Sequence, residues 1–451
     1  MGASPPRRPQ GTPLLTSVEI CAGAGGQAVG LHKAGFEHRA LVEWDAYAVE
    51  TLRANVKKWS GWDSGKAEEL KSQDVNDFLG SDQHKGLGLG KRRLDLLAGG
   101  VPCPPFSLAG KRLGEDDERD LFPAMLKIVE ELRPKAVMIE NVRGILEPPH
   151  VFIDYRRRIL AELGGLGYIV PEVDQDWPVE RQEKAMSSVW RLLEARDFGV
   201  PQLRPRAILV VIHKDVANGE DFVWPRRVKG EAPSVRKVLH ESMRRRCKEF
   251  WGKNEKGDRA RGKQRTGQQV FETWLELAEK AEANSTEGIA PTLVGGSKKH
   301  GGADLGPTRA KRAWAVMGVD ANGVANDPEE CVPERDLFRP DGPMLTVQQA
   351  AMLQGFPEDW KFQGGKTARY RQVGNAFPPP VAEAVGRAIA AVLRPERRKE
   401  LLQPYEMESK EDSAGDMGTY QVEAFPASAL TVTAPRPAGD DHSGDLVGAR
   451  G

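Results

Sequence analysis

The sequence predicts an α/β protein in which short apolar strands alternate with helices. Near the N-terminus an apolar run, Val18–Ile20, leads into the glycine-rich turn AGAGG and then into a helical pattern. A later run, Leu94–Ala98, ends at two glycines, and Cys103 follows between prolines. Ligands bind beyond the carboxyl ends of the strands in open α/β sheets, so we expect the functional residues at these ends.

Composition indicates a globular protein with two domains and polar tails. The chain has 451 residues, of which 39% are hydrophobic and 29% charged, and its formal net charge is zero. A nucleic-acid-binding surface would therefore require local segregation of charge. No apolar run approaches the roughly 18 residues that a membrane span needs. The N-terminus lacks the apolar core of a signal peptide, so we expect an intracellular, cytoplasmic protein that does not bind membranes.

Cysteine and histidine spacing argues against a metal site. The four cysteines are far apart without CxxC spacing, and the eight histidines form no cluster in the sequence. We therefore expect no metal cofactor and no disulfide framework.

The first glycine turn is typical of a nucleotide-type cofactor site. Gly23, Gly25 and Ala28 fit the dinucleotide fingerprint, and Glu43 follows at the spacing of an acid that binds ribose hydroxyls. A plain turn is an equal alternative, and both NAD and S-adenosylmethionine (SAM) remain open at this point. Asp74 either ends a short strand, where it could accept a hydrogen bond from adenine, or caps a helix.

Four further residues are candidates for chemistry. Cys103 is either a nucleophile or a small buried thiol. Glu140 follows the apolar run Ala136–Ile139 and is either a site acid or a capping or ion-paired group. Arg204 and Arg206 alternate at the entrance to an apolar strand, so both side chains face one side, where we expect them to contact a ligand.

The chain after His213 is locally basic. Residues 226–265 hold 15 Lys and Arg against five Asp and Glu, and Lys298 and Lys299 belong to a second cluster. With the aromatic residues Trp251, Trp274 and Trp314 nearby, this pattern favours a surface that contacts a nucleic-acid backbone. The alternative is a solvated charged face.

Eight strings occur in this order along the chain: EICAGAGG, VEWD, QDV, GGVPCPPFS, IENV, QLRPR, LTVQQAAMLQGFP and RQVGNA. Through these strings the sequence resembles the DNA (cytosine-5) methyltransferases of the bacterial modification type. The resemblance implies a Rossmann-like, SAM-dependent methyltransferase domain with a smaller inserted target-recognition domain. The chain departs from the family pattern at Glu19, Cys21, Gln73 and Pro104.

The resemblance also sets the expected domain boundaries. We expect a disordered tail over 1–16, a catalytic core over 17–214 and a target-recognition domain over 215–340. The last motifs, over 341–395, would return to the core. An acidic tail over 396–451, rich in Gly, Pro and Ser, is expected to be disordered.

The resemblance implies a role for each catalytic candidate. Cys103 would attack C6 of a cytosine flipped out of duplex DNA, and Glu140 would hydrogen-bond N3. Arg206 would hold O2, Arg204 would support the site and Asn141 would fix the geometry of the cysteine loop. Residues 107–120 would close over the base.

The resemblance also implies a set of cofactor-binding residues. Glu43 would bind the ribose of SAM, Trp44 would face the adenine and Asp74 would accept a hydrogen bond from its amino group. The remaining predicted cofactor residues are Gly23, Gly25, Val75, Pro102 and Asn375.

We therefore expect a monomeric enzyme that acts on double-stranded DNA, with a companion restriction endonuclease. A cytosine-5 methyltransferase that acts on tRNA and a catalytically inactive DNA-binding homologue are alternatives. An NAD-dependent oxidoreductase rests on the glycine fingerprint alone.

Overall fold

The computed structural model describes residues 14–102, 120–217, 221–231, 233–252, 266–284, 288–295 and 303–409. The described strands are β1 Leu15–Ile20, β2 Phe36–Val42, β3 Leu96–Gly100, β4 Ala136–Val142, β5 Trp190–Glu194, β6 Pro205–Ile212, β7 Pro225–Val228 and β8 Tyr405–Met407. The described helices are α1 Gly26–Lys33, α2 Ala46–Val56, α3 Ser64–Glu68, α4 Asp82–Gly86, α5 Phe122–Leu132, α6 Pro149–Gly165, α7 Val179–Met186, α8 Val235–Lys248, α9 Gly267–Ala283, α10 Thr308–Val316, α11 Pro333–Asp336, α12 Val347–Leu353, α13 Lys366–Asn375, α14 Pro379–Leu393 and α15 Arg398–Leu402.

Six of these strands form the central sheet, in the order β2-β1-β3-β4-β6-β5. Strands β1 to β4 are parallel, whereas β6 runs antiparallel to both β4 and β5. The predicted α/β class is confirmed. The apolar runs Val18–Ile20 and Leu94–Ala98 contribute to β1 and β3, because strands covered on both faces are apolar along their whole length.

Helices cover both faces of the sheet. On one face α5 and α6 pack against Val18, Ile20, Val137 and their neighbours. On the other face α1 and α14 pack against residues of β2, β3 and β6. Contacts between α1 and α14 pack the last long helix of the described chain against the core.

All six strands of the sheet have one end at the same edge. The parallel strands β1 to β4 all finish there, and the antiparallel β6 begins there. Because β5 is antiparallel to β6, its last residue, Glu194, lies at the same edge. This topology brings together residues that are far apart in sequence.

A second apolar cluster lies in the basic part of the chain. It joins α8, α9 and α10 to α12 and α13, and it also includes Ala24 and Val29 of the core. Trp274 and Trp314 are only 1% and 0% exposed, so the prediction that they belong to a nucleic-acid surface is wrong. Their spacing on α9 and α10 instead turns the rings into the core. Arg246, in the densest basic run, is also buried.

Two predicted boundaries differ from the structure. Residues 398–407, expected in a disordered tail, form α15 and β8, and β8 pairs with β7. Leu401 and Tyr405 are buried, and Arg191 on β5 pairs with Glu408. The acidic composition averaged over the whole tail gives no indication that Leu401 and Tyr405 are buried. Trp224 packs with the core, so the first residues of the predicted recognition domain belong to the core layer.

No helix among the described residues is long and apolar enough to cross a membrane.

Candidate active site

An ion pair between Glu140 and Arg206 occupies the edge between β4 and β6. The antiparallel register places Val142 opposite Arg206, so the arginine enters the sheet where β4 ends. Arg206 Nε lies 2.8 Å from Glu140 Oε1, and the two side chains are only 11% and 13% exposed. Burial raises the pKa of Glu140, whereas the nearby guanidinium groups of Arg206 and Arg204 oppose that shift. Burial therefore favours the protonated form of this carboxyl group more than in an exposed glutamate.

Asn141 connects this pair to the chain segment that leads to the cysteine. Its Nδ2 donates to the carbonyl oxygen of Val101 at 2.7 Å, and its Oδ1 accepts from Val142 N at 2.8 Å. A Cβ on Gly100 would stand 3.2 Å from Glu140 Oε2, so the bare glycine lets the carboxyl group lie against the end of β3. The structure thus brings Glu140 and Asn141 beside Val101.

The cysteine loop itself lies outside the described residues, which stop at Pro102 and resume at Asp120. Cys103 and nearly all of the predicted closing loop fall in that gap. The predicted role of Cys103 therefore stays a prediction. Pro102 is exposed at the end of the described segment.

Arg204 does not reach the surface. It is 1% exposed, and its guanidinium donates to three backbone carbonyls: Leu293 O at 2.6 Å, Gly374 O at 2.7 Å and Ala376 O at 2.8 Å. Leu293 belongs to the basic part of the chain, whereas Gly374 lies in the last turn of α13 and Ala376 directly follows that helix. Arg204 thus joins two distant segments to the start of β6, which fits a supporting position.

The glycine turn after β1 lies beside the end of β2. Gly23 N donates to Glu43 Oε2 at 2.7 Å, and Asp45 N donates to Glu43 Oε1 at 2.8 Å. Gly23 and Gly25 both have positive φ, which turns the backbone tightly into α1. Trp44 is 75% exposed, an unusual exposure for an indole.

The acids around this turn converge on one thiol. Burial, together with the charges of Glu43, Asp74 and Glu19, raises the pKa of Cys21 to about 12. Cys21 is therefore not a nucleophile at neutral pH. Burial raises the pKa of Glu19 well above its ordinary value and favours its neutral form, so Glu43 and Asp74 are the acids that supply a negative potential favouring a cationic ligand.

Asp74 caps a short 3₁₀ turn over Val75–Asp77 and accepts from Asn76 N at 2.8 Å. The sequence left two alternatives for Asp74, the end of a short strand or a helix cap. The described segment has the cap and no strand at this position. Gln73 N donates to the carbonyl oxygen of Glu43 at 2.8 Å, which brings the cap next to the end of β2. Val75 is buried beneath it.

Asn375 is the last residue of α13 and is exposed. The next two residues, Ala376 and Phe377, lie against Gly26, since a Cβ on that glycine would overlap the carbonyl oxygen of Phe377 and stand 3.2 Å from Ala376 Cβ. The end of α13 therefore lies close to the start of α1, on the side of the glycine turn.

Three further residues contact the site and were not predicted from the sequence. Trp360 Nε1 donates to Ala24 O at 3.1 Å and covers the glycine turn. Gln202 Oε1 accepts from Leu293 N at 2.9 Å and ties the basic region to the entrance of β6. Glu194 accepts from Arg204 N, and burial raises its pKa to about 7. Gln202 stands in the QLRPR string, so its polar character was a usable signal, whereas Glu194 has no motif.

Comparisons with known proteins agree with this arrangement. A family model described as C-5 cytosine-specific DNA methylase matches residues 15–391. The chain is 46% identical over 385 residues to Type II methyltransferase M.NaeI of Lentzea aerocolonigenes, covering 85% of this chain and 76% of that protein. It is 40% identical over 386 residues to Type II methyltransferase M.NgoMIV of Neisseria gonorrhoeae, covering 85% and 99%. It is 30% identical over 389 residues to Type II methyltransferase M.Eco47II of Escherichia coli, covering 84% and 80%. The chain belongs to the C-5 cytosine-specific DNA methylase family.

Proposed function

We propose that this enzyme methylates C5 of a cytosine flipped out of double-stranded DNA, at a specific sequence, through a covalent bond between Cys103 and C6. The observation that carries the proposal is the buried Glu140–Arg206 pair at the end of β4, tied through Asn141 to Val101. Cys103 follows Val101 by two residues, and two residues of extended chain span at most about 7 Å. This short separation in sequence supports Cys103 as the nucleophile that acts with the pair.

The chemistry begins with the low reactivity of cytosine C5 as a carbon nucleophile. The Cys103 thiolate forms a bond to C6, and the ring electrons move toward C5 and N3. Glu140 donates a hydrogen bond to N3 when protonated, which its burial favours. Arg206 holds O2 by its guanidinium. After C5 gains its methyl group, a base removes the C5 proton, the C6–sulfur bond breaks and the thiolate leaves.

SAM fits the glycine turn, and when bound it supplies the methyl group. The fit rests on the acids that surround Cys21, because SAM carries a positive sulfonium and ammonium. Glu43 would bind the ribose hydroxyls, and Trp44 offers an exposed ring to the adenine. Asp74 would accept from the adenine amino group, with Val75 packed below. Gly23, Gly25, Pro102 and Asn375 would line the rest of the site.

Several observations favour duplex DNA as the substrate. The relatives with the stated identities are named Type II methyltransferases, and the family description specifies DNA. The run 226–265 carries a net excess of ten positive charges, and although Arg246 is buried, the exposed basic side chains of this run can contact phosphates. We infer that residues 233–340 form the recognition region. We also infer that the enzyme acts on chromosomal DNA in the cytoplasm as a monomer, and that it protects this DNA from a companion endonuclease.

Bisulfite sequencing of DNA from cells that express the chain tests the proposal. We expect one short sequence to resist conversion at one cytosine, and no such protection in cells that express Cys103→Ser. Purified protein should transfer radiolabelled methyl groups to duplex DNA and not to total tRNA. Glu140→Gln should lower the rate by about 10²–10⁴-fold, the usual contribution of a positioned acid. Wild-type activity in either variant would reject its assigned role.

A further inference from the structure

Helix α13 contacts the recognition region along one side. Arg369 Nη1 lies 2.6 Å from Asp327 Oδ2, and Lys366 Nζ donates to Asn326 Oδ1 at 2.8 Å. Both partners belong to the segment between α10 and α11. These contacts fix the first two turns of the helix to that segment.

The end of α13 meets the recognition region directly through its backbone. A Cβ on Gly374 would stand 2.5 Å from Gly295 N, and a Cβ on Gly295 would overlap Asn375 Oδ1. The same Cβ would stand 3.3 Å from Arg371 Cγ. The two backbones therefore pack together, with the aliphatic part of Arg371 beside the contact. A displacement of residue 295 must move the end of α13, because packed interfaces are not freely deformable.

The opposite side of α13 contacts α2. Thr51 Oγ1 donates to Gln372 Oε1 at 2.6 Å, and both side chains are buried. Arg371 Nη2 lies 3.4 Å from Asp45 Oδ2. Asp45 is the N-cap of α2, and its backbone N donates to Glu43 Oε1. Arg371 thus contacts the residue that directly follows Glu43 and Trp44, the proposed ribose- and adenine-binding residues.

We propose that Arg371 is a positioning residue that couples cofactor binding to DNA binding. This inference rests on the proposed function, since it requires the cofactor at Glu43–Trp44 and the DNA on the recognition region. The Arg371 guanidinium contacts Asp45, and its aliphatic stem lies beside Gly295. A movement of either residue therefore acts on the other through Arg371. By linkage, each ligand then raises the affinity for the other by the same factor. Both charged groups are 35% exposed, so the pair should supply about a two- to fivefold factor.

The test measures duplex affinity with and without S-adenosylhomocysteine, by fluorescence anisotropy. The probe is a labelled duplex that carries the site mapped by bisulfite sequencing. The coupling factor is the ratio of the two dissociation constants for each protein. Arg371→Met keeps the stem and removes the charge, whereas Arg371→Lys keeps a charge that can reach Asp45. Arg369→Met is the matched control, because Arg369 lies on the same helix and pairs with Asp327 alone among the ion pairs of the described residues.

We expect the factor to fall by two- to fivefold in Arg371→Met, to recover in part in Arg371→Lys, and to stay at the wild-type value in Arg369→Met. An unchanged factor in Arg371→Met, an equal loss in Arg369→Met or a wild-type factor of one would overturn the inference. These results leave the proposed function intact when wild-type protein binds both ligands. Failure of wild-type protein to bind S-adenosylhomocysteine in calorimetry would reject the proposed cofactor site as well.

Discussion

Arg204→Met should lower the stability of the folded protein, because Arg204 holds the segments around the active site together. The substitution keeps an unbranched side chain of similar reach and removes the guanidinium that donates to the carbonyl oxygens of Leu293, Gly374 and Ala376. Arg204 is fully buried, so water has little access to the vacated donors' positions. The three carbonyls then lose charge-assisted hydrogen bonds and gain no equivalent partner in the apolar side chain.

The expected loss follows from the number of contacts. A buried acceptor left without its partner costs about 1–3 kcal/mol. Burial of the guanidinium is itself unfavourable, and it lowers the pKa of Arg204 in the folded protein. Removing the charge removes this desolvation cost and offsets part of the loss. We therefore expect the free energy of unfolding to fall by about 3–5 kcal/mol, near the lower part of the summed range.

Urea unfolding followed by tryptophan fluorescence measures this change through the shift in midpoint. Arg204→Lys should recover about half the loss, because an ammonium can reach one or two of the carbonyls. Arg206→Met is the comparison, since Arg206 pairs with a carboxyl group that can take up a proton. We expect it to cost about 1–2 kcal/mol while removing most activity. An Arg204→Met protein within 1 kcal/mol of wild type would refute the supporting position of Arg204.

Three further substitutions test other parts of the structure. Glu194 has a pKa of about 7 in the folded protein against an ordinary value of 4.5. The contribution of Glu194 to stability is thus present below pH 4.5 and lost as pH rises through 7. Glu194→Gln should remove roughly 3 kcal/mol from the pH dependence of the free energy of unfolding in urea across that window. An unchanged pH dependence in the variant would reject the raised pKa of Glu194. A Cβ on residue 374 would stand 2.5 Å from the backbone of Val294 and Gly295, so Gly374→Ala should weaken duplex binding and stability by about 1–3 kcal/mol. Gly86→Ala, which has open space, should be neutral in the same assays. Tyr405→Ala should lower stability by about 3 kcal/mol, and an unaltered thermal midpoint would show that β8 is not an anchor.

The apolar runs predicted most of the core because parallel strands covered on both faces carry a local signal. The run before Glu140 and the turn after Val18–Ile20 both fold as the sequence indicates. The family resemblance is confirmed by the model match over 15–391. The local sequence pattern does not indicate whether a strand runs parallel or antiparallel to its neighbours. Nothing in the residues of β6 states that this strand is antiparallel, yet that reversal places Arg206 opposite the end of β4.

The errors share one physical cause, which is that composition averages over faces and segments. The basic run suggested a surface, but the period of α9 and α10 buries Trp274 and Trp314. The acidic tail suggested disorder, but Tyr405 and the pairing of Glu408 with Arg191 order its start. Contacts such as Arg204 with Gly374 join distant parts of the chain, so a local pattern cannot predict them.

Trapping the covalent bond between enzyme and base tests the central claim most directly. A duplex that carries 5-fluorocytosine at the mapped position, incubated with SAM, should form a protein–DNA adduct that survives denaturation, because fluorine at C5 cannot leave as a proton does. Mass spectrometry of the digested adduct should locate the bond at Cys103, and Cys103→Ser should form none. A bond at Cys21, Cys247 or Cys331, or methylation of ordinary duplex without any trapped adduct, would contradict the account.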